Sequence, residues 1–474
     1  MSSSYIFRKK RRMTKQLLNS IRKNDPFLSY VDLRHYNVCD GLYSIADAIG
    51  TNTIIEWFVL DNRQLNRDGR ILAMANALRI NTSIKELDIY NSSTRNKEYE
   101  IQVLSEALGI NSSIETIRIH DYQIGEISLK LLLPQVITVN TSIRTIELIH
   151  CTKWTKHEMI LLSNALKINS TITSIVFVGE SIRNKGLMLL AEALKVNTSF
   201  SSIDFRNFKI RNEGLKAITD VLEINSSIRK LVFSRNQIGY EGITMLSNAL
   251  KFNSTVTTIK LPYNNINDEG LKVLSDTLRF NSTITDIDIS RNDFSNDGFK
   301  SFVEMLKVNT SIKVINLCGM YLEVEGAKLL AETLRINTSI TNIDFSFNHI
   351  ENEGMKILVD ALKVNYSIEE IELYENRINR EIEPGIVNAL QYNYSIKRIK
   401  GVYDSKTYRL LEPKNRKQRI IEWMPWKNHH ICKELEPRFH DIVLTLLYLF
   451  FISQIFLRRE KRKLRHLVLK KQKI

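Results

Sequence analysis

Proline is scarce in this chain of 474 residues. There are seven, with 17 glycines, too few for a collagen-like or low-complexity design. Cysteine is scarcer: Cys39, Cys151, Cys318 and Cys432 are too scattered to frame a disulfide scaffold or a zinc site. Few, unpaired cysteines fit a reducing compartment. Catalytic signatures are missing, with no G-x-S-x-G, no G-x-x-x-x-G-K and no G-x-G-x-x-G, and His157-Glu158 lacks a second His at metalloprotease spacing. His429, His430 and Cys432 cluster, but one short stretch offers too few ligands for a metal. Residues 1–20 carry a basic cluster without the apolar stretch of a secretory leader. These absences give the expectation of a non-enzymatic chain with no cofactor and no metal, resident in the cytoplasm.

The composition is that of a soluble protein, 43% hydrophobic and 25% charged, with mean hydropathy -0.18. The net charge of +15 is unevenly placed. Residues 1–24 hold 8 Lys/Arg and no Asp/Glu, and residues 401–474 hold 18 Lys/Arg against 7 Asp/Glu. Between them the balance is 41 against 45, so the body is slightly acidic and the ends are basic. The overall charge therefore says nothing about the partner of the body.

Internal periodicity dominates the body. An Asn followed by a small polar or tyrosine residue, Ser/Thr and an apolar residue recurs from Asn81 to Asn393, at intervals of 28 residues from Asn169 onward and 29 or 30 before it. Degenerate copies start at Asn24 and Asn52, giving about fourteen units over residues 17–400. In the unit 281–308, Ile284, Ile287 and Ile289 predict a short strand, with Asn292 and Phe294 behind it. Asn296-Asp297 reads as a helix start. Phe299, Phe302, Val303 and Leu306 then recur at helical spacing, and Asn309 ends the helix. Glycine recurs in the helix's first turn, from Gly186 to Gly354, where a missing Cβ lets neighbouring units approach.

The pattern I-x-x-I-x-I-x-x-N-x-F resembles the leucine-rich repeat, in its 28-residue ribonuclease-inhibitor-like form. The resemblance covers about four-fifths of the chain. It implies an α/β solenoid, with parallel strands on a concave face and helices on the convex one. It also implies that the turn Asn, at Asn236, Asn264, Asn292, Asn348 and Asn376, bonds to backbone left open where the strand bends away. Cys151 takes that place in its unit, whereas Phe208 and Met320 interrupt the ladder. Twelve of thirteen N-x-S/T sequons fall in repeat phase, so they read as turn residues rather than glycan acceptors. Runs such as NDEG at 267–270 lack the alternating ligands of a calcium loop.

The expected function is a scaffold or adaptor that binds a protein partner on the concave face. The positions five, seven and nine residues after each asparagine should be exposed there. They hold nine acids against six Lys/Arg, which is not the basic stripe of a nucleic-acid groove. Asp286, Asp288, Asp344, Glu370 and Glu372 cluster in the C-terminal half, with Tyr263, Phe347 and Tyr374 alongside, and form the candidate partner site. A Ran GTPase-activating-protein-like regulator is the alternative. That family carries an acidic region after its repeats, where this chain has a basic, apolar tail.

The ends divide the chain into a basic segment 1–16, the solenoid 17–400 and a basic C-terminal module 401–474. Arg8-Lys9-Lys10-Arg11-Arg12 matches a nuclear localisation signal or a contact with an anionic surface. Residues 442–457 form an uncharged, apolar helix candidate of sixteen residues. A membrane span needs about 20. Two readings stay open: a tail anchor in a thin membrane, or a helix packed in solution.

Overall fold

In the unit 281–308, Ile284, Ile287, Ile289, Phe299, Phe302, Val303 and Leu306 are all sealed from solvent, and Phe294 nearly so. The strand is Asp286–Asp288 and the helix Asn296–Leu306. The helix is capped one residue earlier than the sequence suggests. Ser295 is the N-cap, its hydroxyl accepting from Asp297 N at 3.1 Å, and Asn296 is already helical. The two apolar surfaces, one per element, close on the same surfaces of the next unit.

The computed structural model describes residues 15–36, 41–61, 69–91, 98–121, 132–151, 154–179, 182, 184–401 and 420–422. The expected basic segment 1–16 falls almost wholly outside them, as do the basic run at 8–12 and the apolar stretch 442–457. The strands are β1 (Tyr30–Asp32), β2 (Trp57–Asp61), β3 (Glu86–Asn91), β4 (Thr116–Asp121), β5 (Thr145–Ile149), β6 (Ser174–Val178) and β7 (Ser202–Arg206). They continue with β8 (Lys230–Val232), β9 (Thr258–Lys260), β10 (Asp286–Asp288), β11 (Val314–Asn316), β12 (Asn342–Asp344), β13 (Glu370–Glu372), β14 (Arg398–Lys400) and β15 (Ile420–Glu422). All fifteen lie in one open sheet, each parallel to the next in sequence order. A helix lies between each successive pair from β1 to β14, and residues 15–22 are helical ahead of β1. The sheet continues past residue 400, where the sequence reading ends the solenoid: Ile399 of β14 pairs with Ile421. One uninterrupted apolar core runs from Leu17 to Ile399. Full burial of each Ile, Leu or Phe in it contributes about 1.5–3 kcal/mol.

Two asparagine systems hold the units in phase. The amide of Asn337 donates to Leu306 O at 2.7 Å, at the helix end of unit 281–308, and to Asn309 O at 3.1 Å, the first residue of the next. Its Oδ1 accepts from Ser339 N and Ile340 N, each at 2.9 Å. The same arrangement repeats at Asn365 and, in the degenerate unit, in part at Asn52. The asparagines of the twelve in-phase sequons are all at least nine-tenths buried. They are turn residues, with the amide spent inside the protein.

The second system is the turn ladder. Asn236 N donates to Asn264 Oδ1 at 3.1 Å, Asn264 N to Asn292 Oδ1 at 2.9 Å, and Asn348 N to Asn376 Oδ1 at 2.9 Å. At Met320 the sulfur takes the acceptor's place, 3.5 Å from Asn292 N. Phe208 instead packs its ring against Phe177 and Phe205. Strands β2–β7 run five or six residues, whereas β8–β14 run three, and turn asparagines follow five of these seven. The side chain of Asn292 bonds to the carbonyls of Ile289 and Ser290 and so takes up strand acceptors just after β10.

Candidate functional site

Along each strand, side chains alternate between the core and the open face of the sheet. Register places Asp286, Val314, Asn342, Glu370 and Arg398 in one row across that face, and Asp288, Asn316, Asp344, Glu372 and Lys400 in another. The five predicted acids thus share one face, but they are not equally available. Asp288 is buried, contrary to the expected exposure. Its Oδ1 accepts from Ser290 N at 3.0 Å and Ser290 Oγ at 2.7 Å. Burial pushes its carboxyl above the usual range, against the pull of those bonds. Asp344 is half-buried and accepts from Ser346 N at 3.0 Å.

Glu370 and Glu372 are neutralised from β14. Lys400 Nζ lies 2.6 Å from Glu370 Oε1 and 2.8 Å from Glu372 Oε1, and Arg398 Nη1 lies 3.3 Å from Glu370. Burial would depress the Lys400 ammonium, but its bonds to Glu370 and Glu372 hold it above its ordinary value. Asp286 faces Lys260 at 3.7 Å. The acidic patch is therefore smaller than a tally of acids suggests. Cys318 lies half-buried between these strands, its thiol pushed up to about 11 by burial and then by Asp344, so it is a thiol at neutral pH.

The predicted aromatics join a row that the sequence did not show. At the position ten residues after the asparagine, Arg235, Tyr263, Arg291, Phe347 and Glu375 all have φ between 51° and 58°. This left-handed backbone turns the residue out of the strand's alternation. The Arg235 guanidinium lies 4.8 Å from the Tyr263 ring centre, and Arg291 lies 5.6 Å from Tyr263 and 5.2 Å from Phe347. Arg291 reaches Phe347 across Gly319 (φ 69°), where a Cβ would come within 2.9 Å of its Cγ. Tyr374 stands apart, half-buried on β13's continuation, with its backbone N–H donating to Ser346 Oγ.

A denser cluster lies at the other end of the sheet. The Trp57 ring is 4.8 Å from Tyr30, and its Nε1 donates to Asp88 Oδ1 at 3.1 Å. Arg118 reaches Glu86 at 2.6 Å, Asp88 at 3.2 Å and Glu147 at 3.2 Å, with its guanidinium 5.5 Å from the Trp57 ring. Tyr90 stacks on His120 at 3.9 Å, and Arg34 sits 4.0 Å over the same Tyr90 ring. His120 is buried and neither ring nitrogen makes a hydrogen bond, although Nε2 lies 3.6 Å from Asp88. Burial, and then the charge of His120, hold His150 below its ordinary value. Tyr30, Arg34 and Trp57 lie in the degenerate units, ahead of the regular repeats that begin at Asn81. The available signal was Trp57, which stands five residues after the degenerate Asn52.

A family model described as "Leucine Rich repeat" matches residues 225–247, 252–275, 280–303 and 337–359. The solenoid is built of leucine-rich repeats. No curated protein matches the chain. Among solved structures, the yeast Rad7–Elc1 complex is 14% identical, covering 80% of this chain and 93% of that one, with a TM-score of 0.44. The TLR13–ssRNA13 complex is 13% identical over 77% of this chain and 46% of that one, with a TM-score of 0.45. The actin-binding site 2 of leiomodin-1 is 20% identical over 27% of this chain and 73% of that one, with a TM-score of 0.23.

Among the described residues of the leucine-rich-repeat solenoid, no group of three or more His, Cys, Asp or Glu is placed to hold a metal ion. No described helix is long and apolar enough to cross a membrane. The open face of the repeats offers preset charge, rings and hydrogen-bonding groups, which is the chemistry of recognition.

Proposed function

We propose that this leucine-rich-repeat chain, in its 28-residue ribonuclease-inhibitor-like form, is a non-enzymatic scaffold that holds a protein partner on the open face of its sheet. The observation that carries this reading is the set of arginine–aromatic contacts along the sheet, Trp57–Arg118 and Arg34–Tyr90–His120 near its start and Arg235–Tyr263–Arg291–Phe347 in its second half. Arg, Trp and Tyr held rigid before contact lose little entropy on binding, which favours them as anchors. The C-terminal site is Tyr263, Asp286, Asp344, Phe347, Glu370, Glu372 and Tyr374, with a basic partner patch, while the buried Asp288 holds Ser290.

The test is capture of a partner from cytosol, followed by binding to Trp57→Ala, Phe347→Ala, Tyr374→Ala and Glu372→Lys. A true anchor loses about 1–2 kcal/mol of affinity on truncation, roughly five- to thirtyfold. Association with an acidic site slows as salt rises. If all four variants bind like the parent while variants of the helical face lose binding, the site is misplaced. Stimulated GTP hydrolysis by a small GTPase, with the chain in catalytic amounts, would replace the scaffold by the GTPase-regulator reading. Residence in the cytosol predicts that glycosidase treatment leaves the apparent mass unchanged.

A further inference from the structure

The residue just before each of the twelve turn asparagines, from Ile80 to Tyr392, is apolar: Ile or Val in nine, then Phe252, Phe280 and Tyr392. Every one is more than half exposed, from 54% at Val308 to 82% at Phe252. Strand pairing in repeat register puts them in a single column, at the edge where helices end and strands begin. Eleven steps of about 4.8 Å give a stripe on the order of 50 Å long. Packing explains only part of each side chain. A Cβ at Gly109 would lie 2.7 Å from Val139 Cγ2 and one at Gly50 3.0 Å from Ile80 Cδ1, so these two rest against the preceding helix end and leave their remainder in water. An apolar stripe of this extent on a surface marks an interaction site.

Its flanks are basic. The residue one place earlier is Lys or Arg in eight of twelve repeats, and the residue four after the asparagine is Lys or Arg in five. Only Glu223, Glu115 and Glu369 are acidic in those two columns. Other acids, such as Glu192 and Asp360, pair with lysines from a helical turn further back. Helix-end dipoles favour lysine in a last turn. They give no reason for phenylalanine in water. Apolar residues between two rows of long cationic side chains match a bilayer surface, whose acyl boundary takes the rings while the ammonium groups reach the phosphates.

We propose that this edge is a peripheral docking surface for an anionic phospholipid membrane. It is separate from the partner-binding face, so either reading can fail alone. The full chain is sedimented with phosphatidylcholine vesicles containing 30 mol% phosphatidylserine, and with phosphatidylcholine alone. Binding is expected on the anionic vesicles, falling as salt rises. Phe252→Ser/Phe280→Ser should weaken it several-fold. Lys251→Ser/Arg279→Ser should weaken it more than Lys272→Ser/Lys300→Ser, which removes the same charge from the outer helical face. Phe280→Trp should gain quenching by brominated lipid, a readout independent of the serine variants' folding. The proposal is overturned by no binding of the parent, by equal effects of the two cationic pairs, or by binding that survives loss of both phenylalanines. It is also overturned if the phenylalanine variant instead abolishes lipid-free self-association, which would make a second copy the occupant.

Discussion

Asp288 shows how a sheet face that alternates correctly can still hide its side chains. The Asp-x-Ser segment folds the carboxylate onto the Ser290 N–H and hydroxyl and removes it from solvent. A carboxyl whose folded pKa is raised binds its proton more tightly in the native state than in the unfolded one. Stability then falls as pH rises from about 4, the unfolded value, through the folded value. Asp288→Asn keeps an acceptor for both Ser290 bonds and loses only the 3.4 Å contact from Asn316. It should fold within about 1 kcal/mol of the parent at neutral pH and flatten the acid limb of the stability–pH curve. Asp288→Ala leaves the Ser290 N–H buried without its acceptor and should cost about 1–3 kcal/mol. Urea titrations from pH 4 to 7 decide this; an asparagine variant as weak as the alanine variant would show that the charge itself is needed. The same burial means that charge reversal at Asp288 cannot serve as a clean binding test, which is why Glu372 carries that role.

At the scale of single elements, the inward positions of the strand and helix, the repeat phase and the turn role of the sequons were legible in the sequence. Each rests on a local period. What was not legible depended on contacts one or two repeats apart. The capture of Glu370 and Glu372 by Lys400 needs register between β13 and β14, and the Arg291–Phe347 contact needs a glycine at 319 between them. Met320 gives a test of the turn ladder. Its sulfur is a weak acceptor for Asn292 N, while its own N–H already donates to Asn348 Oδ1 at 3.1 Å. Met320→Asn should complete the ladder and stabilise by about 1 kcal/mol, read as a higher urea midpoint. The same change at Phe208 should destabilise, because the ring packs against Phe177 and Phe205 and its loss leaves a cavity. Asp268 couples neighbouring helices in a different way. From the first turn of helix Asp268–Leu278 it accepts from Ser295 N at 2.7 Å and Gly298 N at 3.2 Å, at the start of the next helix. Asp268→Ala should cost about 1–2 kcal/mol, the range of a lost cap.

In a repeat array, stability is a sum of unit terms and nearest-neighbour terms, so the whole molecule need not melt as one. The turn ladder is a neighbour term of the half from β8 onward. Asn236, Asn264 and Asn292 on one side of Met320, and Asn348 and Asn376 on the other, tie β8–β13 together through the turn ladder. The turns after β2, β3 and β4 lie outside the described residues; after β5, Cys151 offers its Sγ–H to Ile119 O at 3.4 Å and Ile149 O at 3.7 Å. Asn225 sits at the junction. Its amide donates to Leu194 O at 2.8 Å and Asn197 O at 2.9 Å, and its Oδ1 accepts from Ser227 N and Ile228 N. Asn225→Ala removes these four bonds and a fifth, from Ser227 Oγ at 2.9 Å, at a buried site and should weaken that interface by about 3 kcal/mol or more. The expected result is a single parental melting transition that splits in two in the variant, with the half from β8 onward melting last. Hydrogen exchange assigns the halves: amides in β9–β13 should stay protected after those of β2–β6 have exchanged. A variant that still melts in one step, or exchanges evenly along the sheet, would mean that the continuous apolar core, not the asparagine ladder, sets the cooperative unit.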